Sequence, residues 1–302
     1  MTEQKTLSPR AWSELILLGV IWGGIFLTTR IALDEIGVAT SVFWRTSLAA
    51  ILLWLVVFLR GQKLVFTGRT VVGFVGMGLL NNVIPFGLLN WSQLFLASGL
   101  VSIFNATTAI FGVVVAAIFL ADERLGARKL TGALIGLAGV IAAIGPTNLA
   151  ALDPTNLAQF AALAATLSYA FAGVWARKML AGLPAETAAA GMLTASALIT
   201  LPAALIIDGP LDLTLAPATW GGIAYMSVIG TALAYLLYYR VLAAAGSGNL
   251  MLVTLIIPPV AIALGAWVRA EQITSGALMG FALIALGLVI IDGRLLRRRQ
   301  KV

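Results

Sequence analysis

Two adjacent amides, Asn81 and Asn82, stand inside an uninterrupted apolar stretch, and Pro85 follows them on the same stretch. An amide offers an acceptor oxygen and two N–H donors without a net charge, so a pair of them at mid-depth can hold a polar solute. Pro85 has no N–H, and in an ordinary helix it leaves the carbonyl of residue 81 without a partner. The same amides can instead tie neighbouring helices together. Other polar residues sit at comparable places. Asn105 and Thr108 are three apart and so share a helix face. Ser168 and Tyr169 are adjacent, with Trp175 further along. Trp22 precedes Gly23-Gly24, where backbones can approach closely or a helix can kink. Tyr235 lies deeper than Tyr238 and Tyr239, whose position near a stretch end fits an interfacial aromatic belt. Amides for polar ends, with rings for apolar parts or cations, suit a small zwitterion or an aromatic solute. The expected binding set is therefore Trp22, Asn81, Asn82, Asn105, Thr108, Ser168, Tyr169 and Tyr235. Pro85, Pro258 and Pro259 are expected hinges, static kinks being the alternative at the last two.

The charged residues narrow the chemistry further. Arg45 stands about two turns into an apolar stretch, where it can bind a carboxylate or reach outward to Asp34 and Glu35; the outward pairing is favoured. Glu14 is four residues from Arg10, the spacing of a local helix pair. Cysteine and histidine are both absent. No thiolate nucleophile, no histidine metal ligand and no near-neutral proton shuttle is available. The adjacent acids Asp34-Glu35 and Asp122-Glu123 fall in short connections and do not assemble an acid/base or metal cluster, which argues against an enzyme. No glycine-rich phosphate loop with a lysine occurs, so ATP drive is not expected, and no cofactor is implied. No filter-like segment or ring of charges points to a channel. Proton relays use deep carboxylates or histidines. Their absence leads us to expect facilitated diffusion instead of proton antiport.

The elements that must position these residues follow from composition. Of 302 residues, 61 % are hydrophobic and only 10 % are charged, against roughly 25 % charged in an ordinary soluble domain. Lipid must be the solvent for much of the chain. At about 30 residues per crossing and loop, the length allows about ten crossings. Apolar runs fall at approximately 12–32, 38–59, 71–92, 99–120, 128–145, 157–176, 187–207, 218–239, 249–268 and 274–292. The first opens on Ser8-Pro9, a helix-entry signature, and lacks a small-x-small cleavage site at its end. If the N-terminus is cytoplasmic, 16 of the 19 Lys and Arg residues fall on inside segments. Only Arg30, Arg45 and Arg269 fall elsewhere. Asp34, Glu35, Asp153, Asp208, Asp212 and Glu271 then lie outside, so both termini are expected in the cytoplasm. The +7 charge is read as retention of inside loops, not as nucleic-acid binding. The basic tail from Arg294 to Lys301 is expected to rest on anionic lipid.

Shifting the chain by 148 residues aligns Glu123 with Glu271, Leu125 with Ile273, Leu130 with Leu278 and Gly132 with Gly280. Gly139 then falls on Gly287, Gly145 on Gly293 and Gly73 on Gly221. Each copy holds five spans, and because five is odd the second copy enters the membrane from the opposite side. Residues 1–148 and 149–302 are thus expected to be inverted repeats, an architecture of transporters that work by alternating access around a midplane site. Gly132-x3-Gly136 and Gly276-x3-Gly280, in the last span of each copy, are expected to pack helices closely as scaffold.

The stretches "WGGIFLTTRIAL" at 22–33, "FWRTSLAAILL" at 43–53 and "IFLADERLGARKLTGALIGLAGV" at 118–140 resemble the ten-helix drug/metabolite transporter superfamily, and within it the EamA-type exporters. The second copy, "IIPPVAIALGAWVRAEQITSGALMGFALIALGLVI" at 256–290, resembles the same module. The proline of its ninth span is present as Pro258-Pro259. The fourth span has Ile110 and Phe111 at the equivalent place. The resemblance implies an all-α fold and an inner-membrane exporter of small metabolites, and the aromatic-rich central spans look most like the amino-acid exporters of the group. Drugs, nucleosides or lipid-linked sugars are the alternative solutes. The expected partners are the solute and membrane lipid, with a monomer favoured.

Overall fold

The computed structural model describes residues 8–62, 67–121, 125–145, 154–245, 250 and 252–293. Lys5, Lys63, Asp122, Glu123, Arg124, Asp153, the junction between the two expected copies and the basic tail lie outside the described residues. Ten helical spans account for nearly all of what is described, and no strand occurs among them. They are α1 (Pro9–Ala32), α2 (Val38–Leu59), α3 (Gly68–Ser92), α4 (Ser98–Phe119) and α5 (Ala127–Ile144). The second set is α6 (Pro154–Met179), α7 (Ala185–Asp208), α8 (Pro217–Val241), α9 (Val253–Arg269) and α10 (Ser275–Asp292). Nine are long and apolar enough to cross a membrane by themselves; α9, at 17 residues, is the shorter apolar helix. The helix starts carry the expected chemistry. Ser8 Oγ accepts the Ala11 amide N–H at 3.2 Å with Pro9 in the first turn, and Thr274 Oγ1 accepts from Ala277 at 3.1 Å. Each side chain satisfies an amide that the helix cannot.

One cap comes from a distant helix. Gly37 begins α2 without a side chain of its own, and the amide of Thr40 donates instead to Asp208 Oδ2 at 2.7 Å. A Cβ on Gly37 would lie 2.1 Å from the Asp208 carboxyl carbon, so any side chain there would have to displace that carboxylate. The end of α7 is thereby fastened to the start of α2, and Asp208 meets the positive end of the helix dipole.

Packing shows the two halves to be equivalent. α1 packs on α9 and α4 on α6; α3 packs on α6 and α7, as α8 packs on α1 and α2. Exchanging each helix for the one five places away converts each of these contacts into another. The pairs α2–α7 and α5–α10 exchange with themselves. In the latter pair Gly132 lies against the carbonyl of Gly287, and Gly139 against that of Gly280; a Cβ on either would approach that oxygen to 2.6 or 2.7 Å. Contact partners that run in opposite numerical order make α5 and α10 antiparallel. Helices in equivalent places of the two copies thus point in opposite directions, which is the inverted arrangement. Gly132 and Gly139 are seven apart, as are Gly280 and Gly287; a Cβ on Gly136 would meet Ile110, and one on Gly276 the Ala142 carbonyl of α5 at 3.2 Å. Gly136 also lies at this seam, its backbone nitrogen 2.8 Å from where a Cβ on Gly287 would stand. The expected four-residue pairs therefore pack here, and Gly139 and Gly287 extend them to a seven-residue spacing, that of a shallow antiparallel crossing.

Ion pairs sit at the two ends of the bundle. Where α1 begins, Glu14 accepts from Arg10 at 3.4 Å and from Arg240 at 2.6 Å, while Arg60 and Gln62 converge on Glu186. Where α1 ends, Asp34 is held by Arg30 at 2.7 Å and by Arg269 at 2.6 Å. Burial alone would raise the Asp34 carboxyl, but hydrogen bonds and charge from Arg269 and Arg30 outweigh it and hold it below the ordinary carboxylate value.

Candidate functional site

The α3 helix does not run through its middle as an α-helix. Between Leu79 and Val83 it widens by one residue per turn, so that the Ile84 amide donates to the carbonyl of Leu79. In that register Pro85 is opposite Leu80, and because proline has no N–H the Leu80 carbonyl is the one left open. Ser168 of α6 closes it, its Oγ donating at 2.7 Å. The sequence placed the open carbonyl on residue 81; the wide turn moves it back by one.

The same turn brings the two amides to the centre of the bundle. Asn82 is fully buried, and its Nδ2 donates to Ser196 Oγ of α7 at 3.0 Å. Asn81 is partly exposed, and its Nδ2 donates to the Tyr235 hydroxyl of α8 at 3.1 Å. That hydroxyl makes a long contact of 3.5 Å to Asn82 Oδ1. From Tyr235 a row of rings leads away: Tyr239 at 6.4 Å, Tyr238 at 5.2 Å from Tyr239, and Trp22 of α1 at 5.9 Å from Tyr238. Tyr238 and Tyr239 thus each have ring neighbours, meeting one another edge-on at 86°. The structure thus brings together Asn81, Asn82, Ser168, Tyr235 and, through this row, Trp22.

The remaining expected residues are distributed around them. Tyr169 packs against the core cluster that helices of both halves share, and it lies in electrostatic range of Tyr235. Asn105 and Thr108 mark a break in α4, which interrupts its α-helical ladder at Ala106 and Thr107 without a proline. The Thr107 hydroxyl donates to the Phe104 carbonyl at 2.7 Å and lies 3.0 Å from that of Thr166 on α6. Thr108 caps the Asn105 carbonyl at 2.8 Å. The Asn105 amide has no partner among the described residues and is partly exposed. Neither Asn105 nor Thr108 hydrogen-bonds to Asn81 or Asn82. Pro258 is buried and Pro259 exposed within a continuous α9, beside the close contacts of Gly19 with Ile256 and Gly23 with Val260.

Arg45 departs from its expectation. Arg269, arriving from α9, occupies Asp34, and Glu35 accepts the Ala216 amide at 2.9 Å. Arg45 turns inward, 9 % exposed, with Nε donating to Thr231 Oγ1 of α8 at 3.0 Å and its guanidinium 3.6 Å over the Phe86 ring of α3. Thr231 and Ser196, which hold Arg45 and Asn82, are polar residues that sequence reading passed over. A lone hydroxyl in a helix usually bonds its own backbone.

A groove of about 460 Å³ opens at the end where α1 begins, between α1, α7 and α8. Leu17, Leu233, Leu236 and Tyr239 wall it, and Arg60, Glu186 and Arg240 close its charged end. None of the expected binding residues lines it, but Tyr239 connects it to Tyr235. Among the described residues no cluster of acids could hold a metal ion.

Comparison with known proteins agrees with this architecture. The chain is similar over 287 residues, at 23 % identity, to the uncharacterized transporter YoaV of Bacillus subtilis, covering 94 % of this chain and 97 % of that one. It is 26 % identical over 301 residues to a probable terminal-alkyne amino-acid exporter of Streptantibioticus cattleyicolor, covering 98 % of this chain and 97 % of the other. A crystal structure with 18 % identity superposes at a TM-score of 0.69 over 96 % of this chain and 99 % of its own, a likeness of fold. The EamA-like transporter model matches twice, at residues 12–145 and 156–292. These two matches coincide with the two inverted five-helix halves, and the chain belongs to the EamA-like transporter family, a group of membrane transporters and not of enzymes.

Proposed function

We propose that the protein exports small metabolites, amino acids and among them aromatic ones, across a bacterial cytoplasmic membrane with both termini inside. The observation that carries this reading is the Asn81–Tyr235 pair: an uncharged donor and a ring, partly exposed, where α3 of one repeat meets α8 of the other. A zwitterion needs polar partners for its ends and an apolar surface for its side chain, and this junction supplies both. The relative named as an amino-acid exporter supports the solute class. The two halves rock around the junction in alternating access, with α5 and α10 as a rigid brace. Transport runs down the solute gradient, because the carboxylates among the described residues, Glu14, Asp34, Glu35, Glu186, Asp208, Asp212, Glu271 and Asp292, all lie near helix ends.

Counterflow in proteoliposomes tests this. Vesicles loaded with unlabelled L-phenylalanine should transiently accumulate the labelled compound, and a panel of amino acids, amines and nucleosides should rank amino acids first. Absence of counterflow for every amino acid, or uphill accumulation driven by an imposed pH gradient, contradicts it. The groove at the α1-entry end favours a second reading. Leu17 and Leu233, each about half exposed, line an opening with arginines at one end, as an amphipathic or lipid-linked solute would use. Counterflow of a lipid-linked sugar without that of amino acids selects this alternative.

A further inference from the structure

Arg45 is a cation with part of its binding capacity unspent. It begins its path seven residues after the start of α2, about 10 Å along the helix axis, inside the apolar layer. A guanidinium has five N–H donors arranged as a planar fork. One, on Nε, is used by Thr231. Among the described residues the two terminal nitrogens have no hydrogen-bond partner and no carboxylate within ion-pair distance. The three acids at that end are engaged elsewhere: Asp34 by Arg30 and Arg269, Glu35 by the Ala216 amide, and Asp208 by the Thr40 amide. Thr231 and the Phe86 ring hold the group from the side and from one face, which fixes the direction of the fork. An uncompensated charge at this depth is costly, and its cost falls when an anion enters.

We propose that Arg45 is the anion anchor of the transport site and that its ligand is the carboxylate of the solute. Deepening the amino-acid reading, it names the group that recognises the acid end. A monocarboxylate matches the fork in geometry and leaves the pair neutral. A phosphate dianion would leave one negative charge uncompensated in the same apolar setting. Arg45 lies in electrostatic range of both Tyr169 and Tyr235. The solute then spans from Arg45 to Tyr235 and Asn81, with its acid on the guanidinium and its other polar end on the amide and rings.

The purified full chain in detergent gives a direct test through ligand-induced thermal stabilisation, which reads binding without requiring transport. The probes are acetate, phenylacetate, L-alanine, L-phenylalanine, phenethylamine and inorganic phosphate. At least one of the four carboxylates should raise the melting temperature of the wild type, and phenethylamine and phosphate should not. Arg45→Gln should weaken carboxylate binding by roughly 10- to 100-fold, as expected for a lost charged hydrogen-bonded contact. Arg45→Lys should recover part of it as a point charge without the fork. Thr231→Val should weaken it several-fold by freeing Nε, and it carries the test with Arg45→Lys should Arg45→Gln not fold. Equal response of Arg45→Gln and wild type, an equal response to phosphate or phenethylamine, or no response to any carboxylate overturns the proposal. The two readings separate cleanly. Carboxylate binding that requires Arg45 without amino-acid counterflow removes the exporter reading alone; L-phenylalanine counterflow undiminished in Arg45→Gln removes the anchor alone.

Discussion

The wide turn of α3 and that of α8 occupy equivalent places in the two repeats and do different work. The 148-residue offset carries Leu79–Val83 onto residues 227–231, inside the widened segment Tyr225–Leu233 of α8. The backbone device is therefore shared, while the side chains on it are not. Asn82 stands where α8 has Gly230, and Asn81 where it has Ile229. In α3 the turn projects amides, one onto Ser196 and one, partly exposed, onto the Tyr235 hydroxyl. In α8 the turn is closed by its own Thr231, whose hydroxyl donates to the Met226 carbonyl at 2.8 Å while receiving Arg45. A cavity between inverted halves is symmetric in backbone, but a zwitterion has unlike ends. On the proposed reading, the difference between the two turns supplies that polarity, amide and ring on one side, cation on the other.

The largest effect should come from the exposed member of the α3 turn. Asn81→Leu is expected to reduce counterflow of L-phenylalanine by about 10- to 100-fold while leaving the melting temperature within a few degrees; transport near the wild-type rate would show that Asn81 only packs. Gly230→Ala probes the opposite turn. A Cβ there would sit 2.6 Å from Ile25 Cγ1, so overpacking should cost about 1–3 kcal/mol of stability, read as a lowered midpoint of denaturation. An unchanged midpoint would mean that the turn relaxes freely. Asn82→Ala should remove about 1–2 kcal/mol, because Asn82 is fully buried and its loss deprives Tyr235 and Ser196 of a partner. A larger effect on transport than on stability would move Asn82 from strut to ligand contact.

The smallest effect concerns the end where α1 finishes. Asp34 is ionised more easily in the folded chain than unfolded, so its contribution is present above the ordinary carboxylate value of 3.8 and is lost as pH falls through its depressed one. The pair partners are partly exposed, which limits Asp34→Asn to less than about 1 kcal/mol. The loss should shrink further at high salt. A difference between Asp34→Asn and wild type that grows on acidification from pH 7 to pH 3 would contradict the sign.

The ten spans were legible because each is a long apolar run bounded by glycine, proline or charge, and the inversion because an odd number of spans recurs in one frame. Helix-to-helix choices were not. Pro85 announced a break in α3, yet the open carbonyl is that of Leu80, since the proline acts through a turn one residue wider than the sequence implies. The turn in α8 and the break in α4 have no proline to announce them. Arg45 had two plausible directions along its own helix. What decides between them is Arg269, 235 residues from Asp34 in sequence, which takes the acid that Arg45 would have reached. Gly132 and Gly139 were visible as repeat markers and Gly132 and Gly136 as a packing pair, but only the antiparallel crossing of α5 on α10 shows that all three meet the other helix's glycines.

The central claim is that the α3–α8 junction is a solute site reached from each side of the membrane in turn. The chain has no cysteine, so Asn81→Cys supplies a single reporter. In oriented vesicles the thiol should react with a membrane-impermeant maleimide applied from either face, and L-phenylalanine, at a concentration raised about 100-fold to offset the lost amide, should slow both reactions. Reaction from one face only, unaffected by the amino acid, would contradict alternating access at this site.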